Sequence, residues 1–261
     1  MHAPPTPLSP NPRSHPGFTL VELLVVVVII LVLAGLGFVG AAKSRNSANN
    51  VVALANMHQI GGAIASYQSE RGRLPHFSGT GVSSALSTAN TLTHASVLQS
   101  YLGLAEPTST VQYAAVFKAP GLGKDNMAGK TKWYEVTAYA MYSTADIHKA
   151  KAYLPKGVVT DSAGMDVGPF GRTGTTGNPT SDGWQTGVLD RALAKYSTDN
   201  AGKIADLSMV PMMYEVNSKY PNIKGSWPWP VPQLPVSGDH INVVYFDWHA
   251  GSVDPDYFHN P

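Results

Sequence analysis

The sequence predicts an α+β fold: one long N-terminal helix, with a membrane-spanning first half, packed through its second half on an antiparallel β-sheet. Three features predict it. An apolar run follows Glu22, with twenty residues free of charge before Lys43. Beyond that run Ala53, Met57, Ile60, Ile64 and Tyr67 recur at 4-3-4-3 spacing, which puts them on one face of a helix. Short runs rich in β-branched and aromatic residues then appear at 111–118, 132–142, 207–216 and 241–247.

Taken in order, residues 1–17 carry six prolines, each of which removes a backbone donor and fixes φ. They read as a disordered leader that is removed, the alternative being a tail that stays on. Residues 18–42 read as a transmembrane helix, because twenty uncharged residues make about 30 Å of helix, the thickness of a bilayer's hydrocarbon core. The apolar part of an ordinary secretory peptide is shorter, about 7–15 residues. Even so, Gly40, Ala41 and Ala42 resemble a signal-peptidase site. Gly35, Gly37 and Gly40 weaken the helix in water by about 1 kcal/mol each relative to Ala. In a membrane they permit close helix packing or a local loosening. Residues 43–74 form the exposed half of the helix, and its apolar stripe is a docking face for a sheet rather than for a partner. Gly72 and Pro75 stop it.

Residues 75–261 form the globular, β-rich domain. A short helix is expected near 94–104 and another near 186–197, carrying Leu189, Leu193 and Tyr196. Residues 161–185, rich in Gly, Ser, Thr and Asp, read as a long surface loop. Pro211 within 207–216 demands an edge strand or a bulge. Residues 237–254 read as a hairpin whose polar turn is Asp247, Trp248 and His249.

Composition narrows the function. Of 261 residues 13% are charged, about half the usual share, which suits a chain with a long apolar segment. The formal net charge is +1 and no basic run exists, so nucleic acid is not an expected partner. The absence of cysteine excludes disulfides, thiolate metal sites and a cysteine nucleophile.

Glu22 is the informative residue. A charged side chain costs roughly 2.5–3.5 kcal/mol at the centre of a membrane helix and less toward its end, so a partner is expected. Cutting before Phe18 would create an α-amino group four residues away in sequence, and the Phe18 amine of one subunit could neutralise Glu22 of a neighbour. The alternative is that Glu22 sits in the headgroup layer and meets water. Gly17, Phe18, Thr19, Leu20, Val21 and Glu22, followed by the apolar run, resemble the cleavage and methylation motif of type IV prepilins and type II secretion pseudopilins. The resemblance implies a pilin-like fold and cleavage between Gly17 and Phe18 by a prepilin peptidase that also N-methylates Phe18. It further implies Glu22 in assembly, other pilin-like subunits as partners, and an inner-membrane assembly platform served by an ATPase. The place it implies is single-pass, in the inner membrane and its lipid, with the C-terminal domain on the periplasmic side. Only Arg13 precedes the apolar run and Lys43 and Arg45 follow it, so charge does not give the orientation.

The segment 56–75, with Gln59, Ile60, Gly61 and Tyr67, also looks like the stretch after the anchor in pseudopilin-like proteins. Asn242, Asp247 and His249 resemble the C-terminal segment of a prepilin-like family marked by a His, a spacer and then Asp-Gly-His. Two departures stand out: Trp248 occupies the glycine position of the turn, and His240 lies too close to serve as the first His. The turn is therefore expected to use a conformation open to residues other than glycine.

Other chemistry is sparse. No nucleophile elbow, phosphate loop or zinc-protease motif is present. Asp239, His240, Asp247 and His249 could together hold a divalent cation, against the plainer reading that turn carboxylates bond their own backbone amides. Trp227 and Trp229, alternating with Pro228 and Pro230, could form a binding surface or pack back over a sheet. The leading expectation is a non-enzymatic filament subunit without a cofactor. The alternatives are an adhesin or binding module at a filament tip and a membrane-anchored exported enzyme.

Overall fold

Helix α1 runs from Leu20 to Arg71, 52 residues without a proline. It ends where the sequence says: Gly72 takes φ +68° and donates its N–H to the Gln68 carbonyl at 2.9 Å. That is a left-handed stop which glycine adopts without a Cβ penalty. The structure, a computed structural model, describes residues 17–77, 85–86, 93–106, 112–118, 120–121, 139–141, 162, 168–173, 179–199, 206–217, 219 and 232–255. The chain divides into two units, Met1–Arg45 and Asn46–Pro261, and α1 passes through the boundary.

In the first unit the side chains described from 20 to 36 are all exposed, sixteen of these seventeen being uncharged. Among the described residues no helix is long and apolar enough to cross a membrane. Seventeen residues make about 25 Å of helix, somewhat short of the usual span. In the sequence the uncharged run continues to Ala42.

In the second unit the expected stripe docks inward. Ala53, Met57, Ile60 and Ile64 are fully buried and Tyr67 packs at the margin. Burying a Met or Ile side chain stabilises by about 1.5–3 kcal/mol. Their counterparts lie on a four-stranded antiparallel sheet built from β3 (Tyr139–Met141), β6 (Pro211–Glu215), β7 (Ile241–Tyr245) and β8 (Ala250–Val253), in the order β3-β6-β7-β8. α1 lies close against the sheet at Gly61, where an added Cβ would stand 3.2 Å from Val244 Cγ1 and 3.8 Å from Met212 Cε. Every residue of β3, β6 and β7 is buried, so both faces of the sheet's centre are covered. Pro211 opens an inner strand, and the register slips between Pro211 and Met213. A bulge, rather than an edge position, accommodates the missing donor.

The smaller elements are β1 (Ala85–Leu86) paired with β2 (Gln112–Tyr113), α2 (His94–Val97), β4 (Arg172–Thr173) paired with β5 (Pro179–Ser181), and α3 (Val188–Asp199). Several expectations change. The helix near 94–104 is one turn, N-capped by Thr93; Leu98 leaves helical geometry and turns lead on to Gly103 at φ +62°. Among its described residues, 112–118, the run at 111–118 pairs at 112–113 and then tightens into a 3₁₀ turn that buries Phe117. Of 132–142, only 139–141 are among the described residues.

The segment 161–185 is not merely a surface loop. Phe170 and Trp184 are core residues, and residues 183–186 pair with the chain leaving α1. Leu74 N–H donates to Trp184 O at 2.8 Å, and Thr186 N–H to Gly72 O at 2.8 Å. Arg73 adds an ion pair with Asp182. An aromatic ladder then runs from His94 onto Phe77 (4.0 Å between centroids), to Phe170 (5.6 Å) and on to Phe246 (6.0 Å). α3 forms as expected, with Leu189 buried and Leu193 packed at the margin.

Candidate processing and assembly site

The residues singled out at the N-terminus meet at the start of α1. Gly17, Phe18 and Thr19 precede the helix and are exposed, Phe18 at 79%. The bond between Gly17 and Phe18 therefore lies in non-helical chain. No atom stands within 4 Å of where a Cβ on Gly17 would point, and its φ is not in the left-handed region.

Thr19 and Glu22 close a reciprocal cap. The Glu22 N–H donates to Thr19 Oγ1 at 3.2 Å, while Glu22 Oε2 accepts from the Thr19 N–H at 2.8 Å and from its hydroxyl at 2.7 Å. This is a capping box, which satisfies helix-end donors that have no partner inside the helix. The carboxylate also sits at the positive end of the helix dipole. Glu22 thus has a partner in its own chain. The expected partner lay in a neighbouring subunit, whereas Thr-x-x-Glu directly before an apolar run is the sequence signal for this local one.

The C-terminal candidates do not converge. Asp239 pairs with His240 at 2.7 Å before β7, and Asp247 pairs with His249 at 2.5 Å after it. His240 holds the Asp239 carboxyl below its usual range. Among the described residues no group of three His, Cys, Asp or Glu is placed to hold a metal ion. Trp227 and Trp229 lie outside the described residues.

The turn between β7 and β8 departs from expectation. Trp248 N–H donates to Tyr245 O at 2.9 Å and Tyr245 N–H to His249 O at 3.0 Å, with Trp248 at φ +74°. This is the bulged turn in which glycine normally takes the left-handed place. Trp248 keeps the glycine conformation rather than replacing it. Asp247 braces the turn by accepting the His249 N–H at 3.3 Å, and the His249 ring stacks on Tyr245 at 4.3 Å. Backbone strain in a non-glycine residue costs of order 1–3 kcal/mol and persists only where the surroundings impose it.

Asn242, noted only for a resemblance, is a buried junction. Its side-chain N–H donates to Asn50 Oδ1 on α1 at 2.8 Å, and its Oδ1 accepts from Ser252 on β8 at 2.7 Å. It ties the helix to two strands of the sheet.

No curated protein and no solved structure matches the chain. Residues 12–38 match the family model described as the prokaryotic N-terminal methylation motif. That match takes in Gly17, Phe18, Thr19 and Glu22, so the N-terminal segment is similar to that of type IV prepilin-like, or pseudopilin-like, precursors.

Proposed function

We propose that the protein is a non-enzymatic structural subunit of a pilus-type filament, of the pseudopilin kind, in a type II secretion or type IV pilus-like machine. The observation that carries this reading is the coincidence, within one matched motif, of an exposed non-helical bond after Gly17, a capped Glu22 and an apolar helix. In this reading residues 1–17 are the leader, and a prepilin peptidase cuts after Gly17 and methylates the Phe18 amine. Residues 18–42 anchor the subunit in the inner membrane, 43–74 form the exposed half of the helix, and 75–261 form the periplasmic domain. Other pilin-like subunits and the assembly platform are its partners. The exposure of every described side chain from 20 to 36 suits a surface destined for lipid and then for neighbouring helices.

Glu22 carries the assembly role through the amine of a neighbour's Phe18. Gly17 serves the peptidase: nothing in the chain's own structure requires glycine there, so any requirement belongs to the enzyme that reads it. The test begins with intact mass and N-terminal sequence of the protein from its native membrane. A chain starting at Phe18 and one methyl group heavier supports the proposal; a chain starting at Met1 or after Ala42 overturns it. Gly17→Asp should abolish cleavage without unfolding the domain. Glu22→Val should be cut and inserted but absent from filaments, and its normal incorporation would refute the assembly role.

A further inference from the structure

Thr19 takes the N-cap place of α1. Its carbonyl accepts the first helical bond, from the Leu23 N–H at 3.2 Å, and its hydroxyl oxygen accepts the Glu22 N–H at 3.2 Å. Glu22 in turn accepts from the Thr19 N–H and hydroxyl. Leu20 is accordingly the first helical residue, while Gly17, Phe18 and Thr19 are exposed and outside the helix. The Gly17–Phe18 bond, the point of cutting in the proposed function, lies one peptide unit ahead of the capping residue.

That placement needs a cause. At the head of an apolar helix a free N–H is costly, and it is satisfied either by a cap or by one more turn of helix. The sequence ahead permits the extra turn. Pro16 suits the first position of a helix, where no N–H is needed, and Gly17 weakens such a turn without preventing it. A helix begun at Pro16 would take the Gly17–Phe18 bond into its first turn. There the carbonyl is engaged by the next turn and side chains surround it, whereas proteolysis concentrates in exposed, irregular chain.

We propose that Thr19 is a positioning residue for the cut: its cap fixes the start of α1 at Leu20 and so holds the Gly17–Phe18 bond outside the helix, where a peptidase can bind it. The proposal rests on the reading of the chain as a prepilin-like substrate. It gives Thr19 a part in processing that is separate from the part of Glu22 in assembly.

The experiment is cleavage of the full-length precursor in detergent by a purified prepilin peptidase. Initial rates are read against substrate concentration, because a cut slowed a few-fold still runs to completion in cells. Replacing a Thr cap by a residue without a side-chain acceptor weakens the helix start about fivefold. A helical fraction that the enzyme does not bind raises KM and leaves kcat alone. Thr19→Ala and Thr19→Val should therefore raise KM by about two- to fivefold at unchanged kcat. Thr19→Ser and Thr19→Asn, which cap with side chains of different shape, should match wild type. In the same detergent the carbon shifts of Gly17 and Phe18 should move toward helical values in the Ala variant and stay in place in the Ser variant. An unchanged KM in the Ala and Val variants, a loss of kcat in place of the rise in KM, or Ser and Asn variants as slow as Ala overturns the proposal. So do carbon shifts that stay in place in the Ala variant. A wild-type chain left uncut after Gly17 overturns the filament reading and the proposal together; a wild type that is cut, with an Ala variant cut equally well, overturns the proposal alone.

Discussion

Gly183→Ala is the most demanding test of how the chain leaves α1. Gly183 is buried where residues 183–186 pair with residues 72–75. A Cβ there would stand 2.8 Å from the Leu74 carbonyl carbon and 2.9 Å from the Pro75 carbonyl oxygen, with the Leu74 oxygen closer still. All three are backbone atoms, so no side chain can rotate aside. Carbon atoms pack best at about 3.5–4.0 Å, so the two segments must part by about 1 Å. Parting them breaks the bond from Leu74 N–H to Trp184 O and disturbs Leu74 and Trp184, both core residues. Overpacking costs about 1–3 kcal/mol and a lost hydrogen bond about 1 kcal/mol, so the variant should lose about 3 kcal/mol. For a domain of this size that lowers Tm by about 6–12 °C. Urea or thermal denaturation of the purified protein measures it. The control is Gly62→Ala on the exposed face of α1, where a Cβ meets nothing; it should gain up to about 1 kcal/mol from helix propensity. Equal stabilities for Gly183→Ala and wild type would refute the close approach.

Two further predictions follow from single positions. Trp248→Gly and Trp248→Ala both remove the indole, so their difference isolates the backbone at φ +74°; the Gly variant should be more stable by about 1 kcal/mol, and an Ala variant that is equal or better would refute the left-handed turn. His94 is buried on Phe77, and burial pushes its imidazole down to about 3. The unfolded chain thus binds a proton that the folded chain refuses, and stability from this group is lost as pH falls from about 6.5 toward 3. Glu215 works in the opposite sense, its raised midpoint costing stability as pH rises from about 4.5 to 7. Each slope is about 1.4 kcal/mol per pH unit, so the two contributions should nearly cancel between pH 4.5 and 6.5. His94→Phe should unmask the Glu215 slope there, read as urea midpoints falling with rising pH; an unchanged profile would count against both assignments.

What the sequence made legible was local. The stripe from Ala53 to Tyr67 and the stop at Gly72 rest on helix periodicity and on one residue's freedom at positive φ, and both are found in place. The bulge at Pro211 follows from a missing donor. What stayed hidden depends on partners far along the chain. Nothing near Gly183 in sequence announces Leu74 across the pairing, so a Gly- and Ser-rich segment read as surface when it carries Phe170 and Trp184 into the core. The structural roles of Asn242 and Glu215 do not show in the sequence because their partners, Asn50 and Val236, lie on other elements. At Trp248 a reliable residue preference gave the wrong answer, since the hairpin's pairing imposes a conformation that the side chain alone would avoid.

Glu22 is where the local and the distant readings meet. The capping box with Thr19 engages the carboxylate within the chain, before any neighbour arrives. In the proposed filament, a subunit could therefore carry the acid at the head of an apolar helix before a second subunit meets it. The need for a charge at assembly is then a separate question from the need for a helix start. Glu22→Gln separates them. Gln at this place can still close the box with Thr19, so the helix should begin at Leu20 as before. Glu22→Val removes both the cap and the charge. If filaments incorporate the Gln variant but not the Val variant, Glu22 acts chiefly by fixing the start of α1. If both fail while both are cleaved after Gly17, the charge itself is required, as pairing with the Phe18 amine of a neighbour demands.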